Sequence, residues 1–288
     1  MSYIIYIMRI IILSVLFFSL MFNISAGQIA SSPGIEPGNG NPVQGSSEPS
    51  SFRINNKVYI GKETTPASSS ITMFYKGRVY DFLTDPEETI IYDPEMQRFL
   101  IISSATQTQC SVTVDDIASF ERMMQSALPK IKDEFIRTCL DPQFEVKQDP
   151  ETDEWIYDSP KLTYRIKTIS EQYEGQAQAY ADFANRYAIL NVILSPQSMP
   201  PLARIFVNND LAKKRLLPQE IHITLQPKYN PLSRTKGKET IRTSHNLVKG
   251  LGNADMNQIR QAGERYGRYK LVSFEQYQKK LREKMEEK

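Results

Sequence analysis

Short apolar runs separated by turn residues fill the stretch from residue 71 to residue 104, and this pattern constrains the fold more than any other feature. The turn sequences are Lys76-Gly77, Asp85-Pro86-Glu87 and Asp93-Pro94-Glu95. The runs between them are rich in β-branched and aromatic residues. Such runs, bounded by Gly, Pro and Asp, are typical of consecutive antiparallel strands. The sequence therefore predicts a β-meander.

The segments on either side extend this prediction. Phe52–Ile60 is expected to pair at one edge of the meander, and residues 107–113 are expected to extend the other. Thr113 and Asp116 form a capping-box pattern, which predicts a helix that packs on the sheet. Helical and strand-like patterns then alternate to the C-terminal end. We predict an α+β fold in which helices cover a curved antiparallel meander, with additional C-terminal helix and strand elements.

The N-terminal segment has the pattern of an export signal. Residues 3–22 are nearly all apolar, and Arg9 divides them so that only residues 10–22 form an uninterrupted apolar block. A spanning helix needs about 20 apolar residues, whereas a signal peptide needs fewer. Ala26 provides a cleavage site, so we expect a signal peptide over residues 1–26, a mature chain that begins near Gly27, and a periplasmic or cell-envelope location. The alternative is an uncleaved anchor.

Residues 27–51 consist mainly of Gly, Ser, Pro, Asn and Gln, with hardly an aliphatic residue and no aromatic one. Such a segment cannot bury enough apolar surface to offset the entropy of ordering its backbone. We predict a disordered linker there, followed by a single α+β globular region over residues 52–288. Membrane contact is expected only through the signal segment.

Charge and motif patterns exclude several function classes. The 35 Lys and Arg residues are interspersed with 33 Asp and Glu residues, so we expect no nucleic-acid partner. The sequence contains no phosphate loop, nucleophile elbow or zinc motif. We therefore expect no cofactor and no metal, and no catalytic motif is recognised, although this does not exclude an enzyme.

The strongest enzyme alternative is a hydrolase-type site around Ser244, His245 and Asp255. His222 and His245 are the only histidines in the chain. Adjacent residues of an extended strand point to opposite faces, which makes a Ser244–His245 dyad geometrically poor. A third hypothesis is a structural component of the envelope.

The two cysteines, Cys110 and Cys139, are predicted to form a disulfide because an exported protein meets oxidising conditions. The alternative is two unpaired buried thiols.

Aromatic residues are concentrated in the meander. They favour either a well-filled core or a ligand-binding surface. Tyr80 and Phe82 belong to one face of one strand, and they are the two residues most expected to contact a ligand. The complete candidate set is Phe74, Tyr80, Phe82, Tyr92 and Phe99.

Three segments carry a resemblance over most of the globular region: residues 75–82 (YKGRVYDF), residues 217–221 (LPQEI) and residues 242–247 (RTSHNL). They resemble an uncharacterised family of exported planctomycete-type bacterial proteins, and this resemblance implies no particular activity. Residues 90–97 (IIYDPEMQ) are similar to the strand-turn-strand of LolA-like periplasmic lipoprotein carriers. That resemblance implies a curved sheet with helices on its concave face and a lipid or lipoprotein ligand. We therefore predict an exported, non-enzymatic envelope or periplasmic binding protein for an amphiphilic or lipid-like ligand.

Overall fold

The structure of the protein is a computed structural model that describes residues 51–196, 198–226 and 239–286. The predicted signal peptide and nearly all of the predicted linker lie outside these residues. The strands are β1 Phe52–Ile60, β2 Ser68–Tyr75, β3 Arg78–Leu83, β4 Glu88–Asp93, β5 Arg98–Ser103, β6 Thr108–Thr113, β7 Glu145–Gln148, β8 Trp155–Asp158, β9 Leu162–Ser170, β10 Leu216–Leu225, β11 Glu239–Lys249 and β12 Lys270–Leu271. The helices are α1 Val114–Ala127, α2 Glu134–Leu140, α3 Gln176–Leu194, α4 Leu202–Lys213, α5 Asn253–Arg268 and α6 Phe274–Glu286, with one 3-10 turn at Leu128–Lys130.

All described strands belong to one open 12-stranded sheet, in the order β12-β6-β5-β4-β3-β2-β1-β11-β10-β9-β8-β7. Neighbouring strands are antiparallel except for the short β12, which runs parallel to β6. The predicted meander is present as β1 to β6, and the predicted capping box at Thr113 and Asp116 begins α1. The predicted α+β class with an antiparallel sheet is confirmed.

Phe52–Ile60 pairs with β2 at one edge of the meander, as predicted. The sheet continues beyond this edge, because β11 pairs with β1 along its whole length on the side opposite β2. No strand was predicted over residues 239–249. The side chains that β11 directs inward alternate between apolar and polar, as Ile241, Thr243, His245 and Leu247, so the apolar periodicity that marks a buried strand is weak there.

Helices cover one face of the sheet, which we call the helical face. Over the meander, α1, α3 and α6 pack on a cluster that includes Phe52, Phe74, Ile90 and Phe99. Over β8, β9 and β10, α2 and α4 pack on a second cluster built on Tyr157, Leu162, Tyr164, Ile166 and Ile221. Strand alternation places both clusters on the same side of the sheet.

The opposite face, which we call the α5 face, is covered differently. Helix α5 packs through Ala262 on Met73, Phe82, Ile91, Leu100 and Ile102 of the meander. The α5 face of β1 and β11 instead carries the polar side chains of Asn55, Lys57, Tyr59, Arg242, Ser244 and Asn246. Among the residues that the structure describes, no helix has the length and apolarity needed to cross a bilayer.

The predicted disulfide between Cys110 and Cys139 is wrong. Both thiols are free and fully buried. Cys110 lies on β6 in the cluster over the meander, whereas Cys139 lies on α2 in the cluster over β8 to β10. Burial raises the pKa of each thiol above its ordinary value. The prediction rested on compartment and an even cysteine count, and neither determines where the two residues lie.

Candidate functional site

The five predicted aromatic site residues lie on both faces of the sheet. Phe74, Tyr92 and Phe99 lie on the helical face, where the Tyr92 and Phe99 rings stack at 4.7 Å and the Phe74 ring meets that of Phe183 at 5.9 Å. Tyr80 and Phe82 lie on the α5 face, with ring centroids 6.4 Å apart. The five side chains therefore do not line one cavity together. Ligand binding by these residues stays a prediction.

The side chains of the hydrolase-type alternative also lie on both faces of the sheet. Ser244 lies on the α5 face of β11, and His245 lies on the helical face. Asp255 accepts a hydrogen bond from the backbone N–H of Gly252 at 2.8 Å and forms an ion pair with Arg53 on the α5 face. His245 therefore lies on the face opposite Ser244 and Asp255, so the structure does not bring the candidate base to either partner.

A polar groove of about 500 Å³ crosses the α5 face of β2, β1 and β11. Strand register explains its rows of side chains. Ser244, Lys57 and Ser69 lie opposite one another on three neighbouring strands, and Asn246 and Asn55 form the next row. The complete lining is Asn55, Asn56, Lys57, Tyr59, Ser69, Ser70, Ile71, Thr84, Ser244 and Asn246. Strand alternation directs the side chains of Asn56 and Ser70 in this set to the opposite face. This lining contains amide, hydroxyl and ammonium groups but no carboxylate.

The chain fixes both ends of this polar groove. Toward one end, the Arg53 guanidinium on β1 pairs with Asp255 at the start of α5. Toward the other end, the Arg242 guanidinium lies 3.9 Å from the centroid of the Tyr59 ring. The Glu220 carboxylate lies within 3.4 Å of Arg242, which holds the guanidinium over the ring. These contacts hold the side chains of Arg53 and Arg242 in place beside the two ends of the groove.

A second polar feature lies on the helical face of the same strands, and we call it the polar seam. His245 bonds through Nδ1 to Oδ1 of Asn56 at 2.9 Å, and Asn56 Nδ2 donates to Oγ1 of Thr72 at 2.8 Å. Thr72 Oγ1 donates to Asp81 at 2.7 Å, and the Tyr187 hydroxyl of α3 donates to the same carboxylate at 2.8 Å. The hydrogen bonds therefore run in one direction, from His245 to Asp81.

The directions of these bonds determine the tautomer of His245. Asn56 uses its N–H groups on Ser70 and Thr72, so its oxygen must accept from His245 Nδ1–H. Nε2 then accepts from the Thr243 hydroxyl at 3.1 Å. His245 is thus a neutral imidazole with both nitrogens satisfied.

Burial governs the electrostatics of the polar seam. Burial, together with the positive charge of Arg204 on α4, lowers the pKa of His245 to about 3. Burial also raises the pKa of the Asp81 carboxyl, although the hydrogen bonds from Thr72 and Tyr187 oppose that rise. No cation pairs with Asp81 among the described residues, so the carboxylate is held by neutral donors.

The polar seam was not predicted from the sequence, although the sequence contains a pattern that indicates it. Asn56, Thr72 and Asp81 occupy inward positions of β1, β2 and β3, where strand alternation predicts apolar residues. Polar residues at inward positions of consecutive strands indicate a buried hydrogen-bond network.

Within the described ranges, no group of His, Cys, Asp and Glu side chains could hold a metal ion.

Comparisons with known proteins add no family to this geometry. No protein-family model matches the sequence. A comparison with curated proteins also gives no match. The resemblances to the planctomycete-type family and to the LolA-like carriers stay predictions.

Proposed function

We propose that the protein is an exported, non-enzymatic binding protein whose polar groove holds a neutral ligand rich in hydroxyl or amide groups, such as an oligosaccharide. The observation that carries this proposal is the lining of the groove, in which Asn55, Asn246, Ser69 and Ser244 surround the single ammonium of Lys57. Amide and hydroxyl side chains both donate and accept hydrogen bonds, as a polyhydroxylated ligand requires. Export rests on the sequence of residues 1–26 alone.

The location of the groove on central strands supports a binding role. β1 pairs with β2 and with β11 by continuous antiparallel ladders, so the side chains in the groove project from well-braced backbone. A site built on regular strands holds its hydrogen-bonding groups at defined positions before a ligand arrives. Preorganisation of this kind lowers the entropic cost of binding.

The geometry gives less support to two of the other candidates, the amphiphile-binding protein and the hydrolase. An amphiphile requires an apolar cavity, whereas the predicted aromatic side chains pack against one another and against helices. A hydrolase requires its nucleophile and base in one cleft, whereas Ser244 and His245 lie on opposite faces of β11.

Calorimetric titration with neutral gluco-, manno- and chito-oligosaccharides tests the proposal. The double substitution Asn55→Ala/Asn246→Ala removes two amides that face each other across β1 and β11. Each lost hydrogen bond weakens binding by about 1 kcal/mol, so the dissociation constant of a bound saccharide is expected to rise about tenfold or more. Asn257→Ala is the matched control, because Asn257 is an exposed amide on α5.

Two outcomes would contradict the proposal. One is the absence of binding to any of the neutral oligosaccharides. The other is equal weakening of binding by the groove variant and the Asn257→Ala control. Uptake of a fluorescent fatty acid that is reduced by Tyr80→Ala, but not by the groove variant, would favour the amphiphile instead. Thermal unfolding of each variant distinguishes loss of the site from loss of the fold.

A further inference from the structure

Strand β7 ends the sheet with an exposed backbone edge. Among the strands that the structure describes, it pairs with β8 alone, and all four of its residues are exposed. Asp149 just beyond it donates its N–H to the carbonyl of Glu154, in the register that pairs Lys147 with Ile156. Hydrogen-bonded pairs alternate along an antiparallel ladder, so Glu145 and Lys147 direct their backbone groups toward β8. Val146 and Gln148 therefore direct their N–H and C=O groups outward, where they can pair with another strand.

An apolar patch lies beside this edge on the helical face. Val146 is 37% exposed and Phe206 of α4 is 39% exposed, and both are large apolar side chains in contact with solvent. The Phe206 ring lies 5.6 Å from that of Phe144, which immediately precedes β7. Exposed apolar surface next to unpaired backbone groups is typical of an interaction site.

We propose that two copies of the chain associate through β7, as an antiparallel pair related by a two-fold axis at Val146. Val146 then faces Val146 of the second copy and exchanges both backbone hydrogen bonds with it. The same register places Glu145 opposite Lys147 of the second copy, and Lys147 opposite Glu145. Opposite charges at facing positions stabilise a strand pair, particularly at the non-hydrogen-bonded positions that these residues occupy.

The charge pattern is what selects a second copy as the partner. Glu145 and Lys147 are the charged side chains that β7 presents on its α5 face, separated by one residue. An in-register parallel pair would place like charges beside each other. The antiparallel pair about Val146 instead places each Glu145 opposite a Lys147 and each Lys147 opposite a Glu145. On the helical face, Val146, Phe144 and Phe206 of each copy are brought to the same two-fold axis. A self-complementary patch of this kind is what an isologous dimer requires.

Analytical ultracentrifugation of the purified protein tests the dimer. Wild type is expected to show a concentration-dependent dimer. Val146→Pro removes the outward N–H at the axis while leaving the β7–β8 hydrogen bonds, and it is expected to give a monomer. Glu145→Lys and Lys147→Glu each place like charges opposite one another and are expected to weaken association at least tenfold.

Exchanging the two charges tests whether the single charge variants weaken association at the proposed interface or merely disturb folding. The double variant Glu145→Lys/Lys147→Glu restores opposite charges and is expected to dimerise again. An equimolar mixture of the two single charge variants is expected to form heterodimers. A wild-type monomer at every soluble concentration would overturn the proposal. A dimer that persists in Val146→Pro and in both charge variants would place the interface elsewhere and would also overturn it.

Discussion

The lowered pKa of the half-buried His245 predicts that the stability of the protein depends on pH, and that substitution of His245 removes this dependence. Its pKa falls from an ordinary value of 6.5 to about 3 in the folded state. Between these two values the unfolded chain binds a proton that the folded protein does not bind. The contribution of neutral His245 to the free energy of unfolding is therefore fully present above pH 6.5 and is lost as the pH falls toward 3.

The size of this effect follows from the two pKa values. At pH 5 the unfolded histidine is almost fully protonated and the folded one is almost fully neutral. Proton linkage then lowers the free energy of unfolding by about 2 kcal/mol between pH 7.5 and pH 5. A folded pKa that is one unit higher changes this figure little, because pH 5 still lies above it.

Urea unfolding, followed by fluorescence of the single tryptophan Trp155, measures the effect. His245→Gln is expected to be less stable than wild type at pH 7.5, because Asn56 and Thr243 lose their partners. The gap between the two proteins should shrink by about 2 kcal/mol at pH 5. The Asp81 carboxyl acts in the opposite direction, since its raised pKa favours the folded state as pH falls, but it is present in both proteins.

His222→Gln is the control, because it removes the other histidine from the α5 face of β10, and the loss of about 2 kcal/mol should persist in it. A difference between wild type and His245→Gln that is the same at pH 7.5 and pH 5 would refute the reasoning. It would mean that His245 takes up its proton as readily in the folded protein as in the unfolded chain.

Three further predictions follow from packing and sequence. Native protein should not react with Ellman's reagent and should release two free thiols once denatured, because Cys110 and Cys139 are fully buried; one disulfide in the denatured protein would contradict this. Phe183→Ala should destabilise the protein by about 3–5 kcal/mol in urea unfolding, because its ring packs on three others in the meander core, whereas the exposed Met96→Ala should cost far less. Intact-mass measurement on envelope fractions should find a chain that begins near Gly27, and retention of Met1 on membrane-bound protein would show that the signal segment is kept.

The sequence predicted the elements that local patterns specify and missed those that depend on distant pairing. The meander was predictable because Lys76-Gly77 and the two Asp-Pro-Glu turns define strands that pair with their neighbours in sequence. The capping box at Thr113 was predictable because it is local as well. β11 was not predicted, because its inward residues alternate between apolar and polar. The polar His245 among them is accommodated by its pairing with Asn56 of β1, which is distant in sequence.

The same distinction applies to the candidate sites. Clustering of aromatic residues in the meander was visible in the sequence. The tight turn at Lys76-Gly77 also pairs Phe74 with Val79, which separates Phe74 from Tyr80 on the next strand. The helices that cover each face were not predictable in this way. The polar groove requires β1 to have neighbours on both sides, and no local pattern specifies that arrangement. The sequence placed Ser244 and His245 on opposite faces of an extended chain, but it did not identify Asn56 and Thr243 as the hydrogen-bond partners of His245.

The pairing of β1 with β11 also governs the order in which the chain can fold. Phe52 lies opposite Lys249, so the central ladder joins the first described strand to one that is synthesised near the end of the chain. A chain that emerges N-terminus first can form the β2–β6 hairpins early, because their contacts are local. The outer side of β1 stays unpaired until residues 239–249 have emerged, and an unpaired strand edge of this kind is prone to aggregation. A chain that ends before β11 therefore cannot complete its sheet. Such a chain, and the full chain during synthesis, would depend on chaperones to remain soluble.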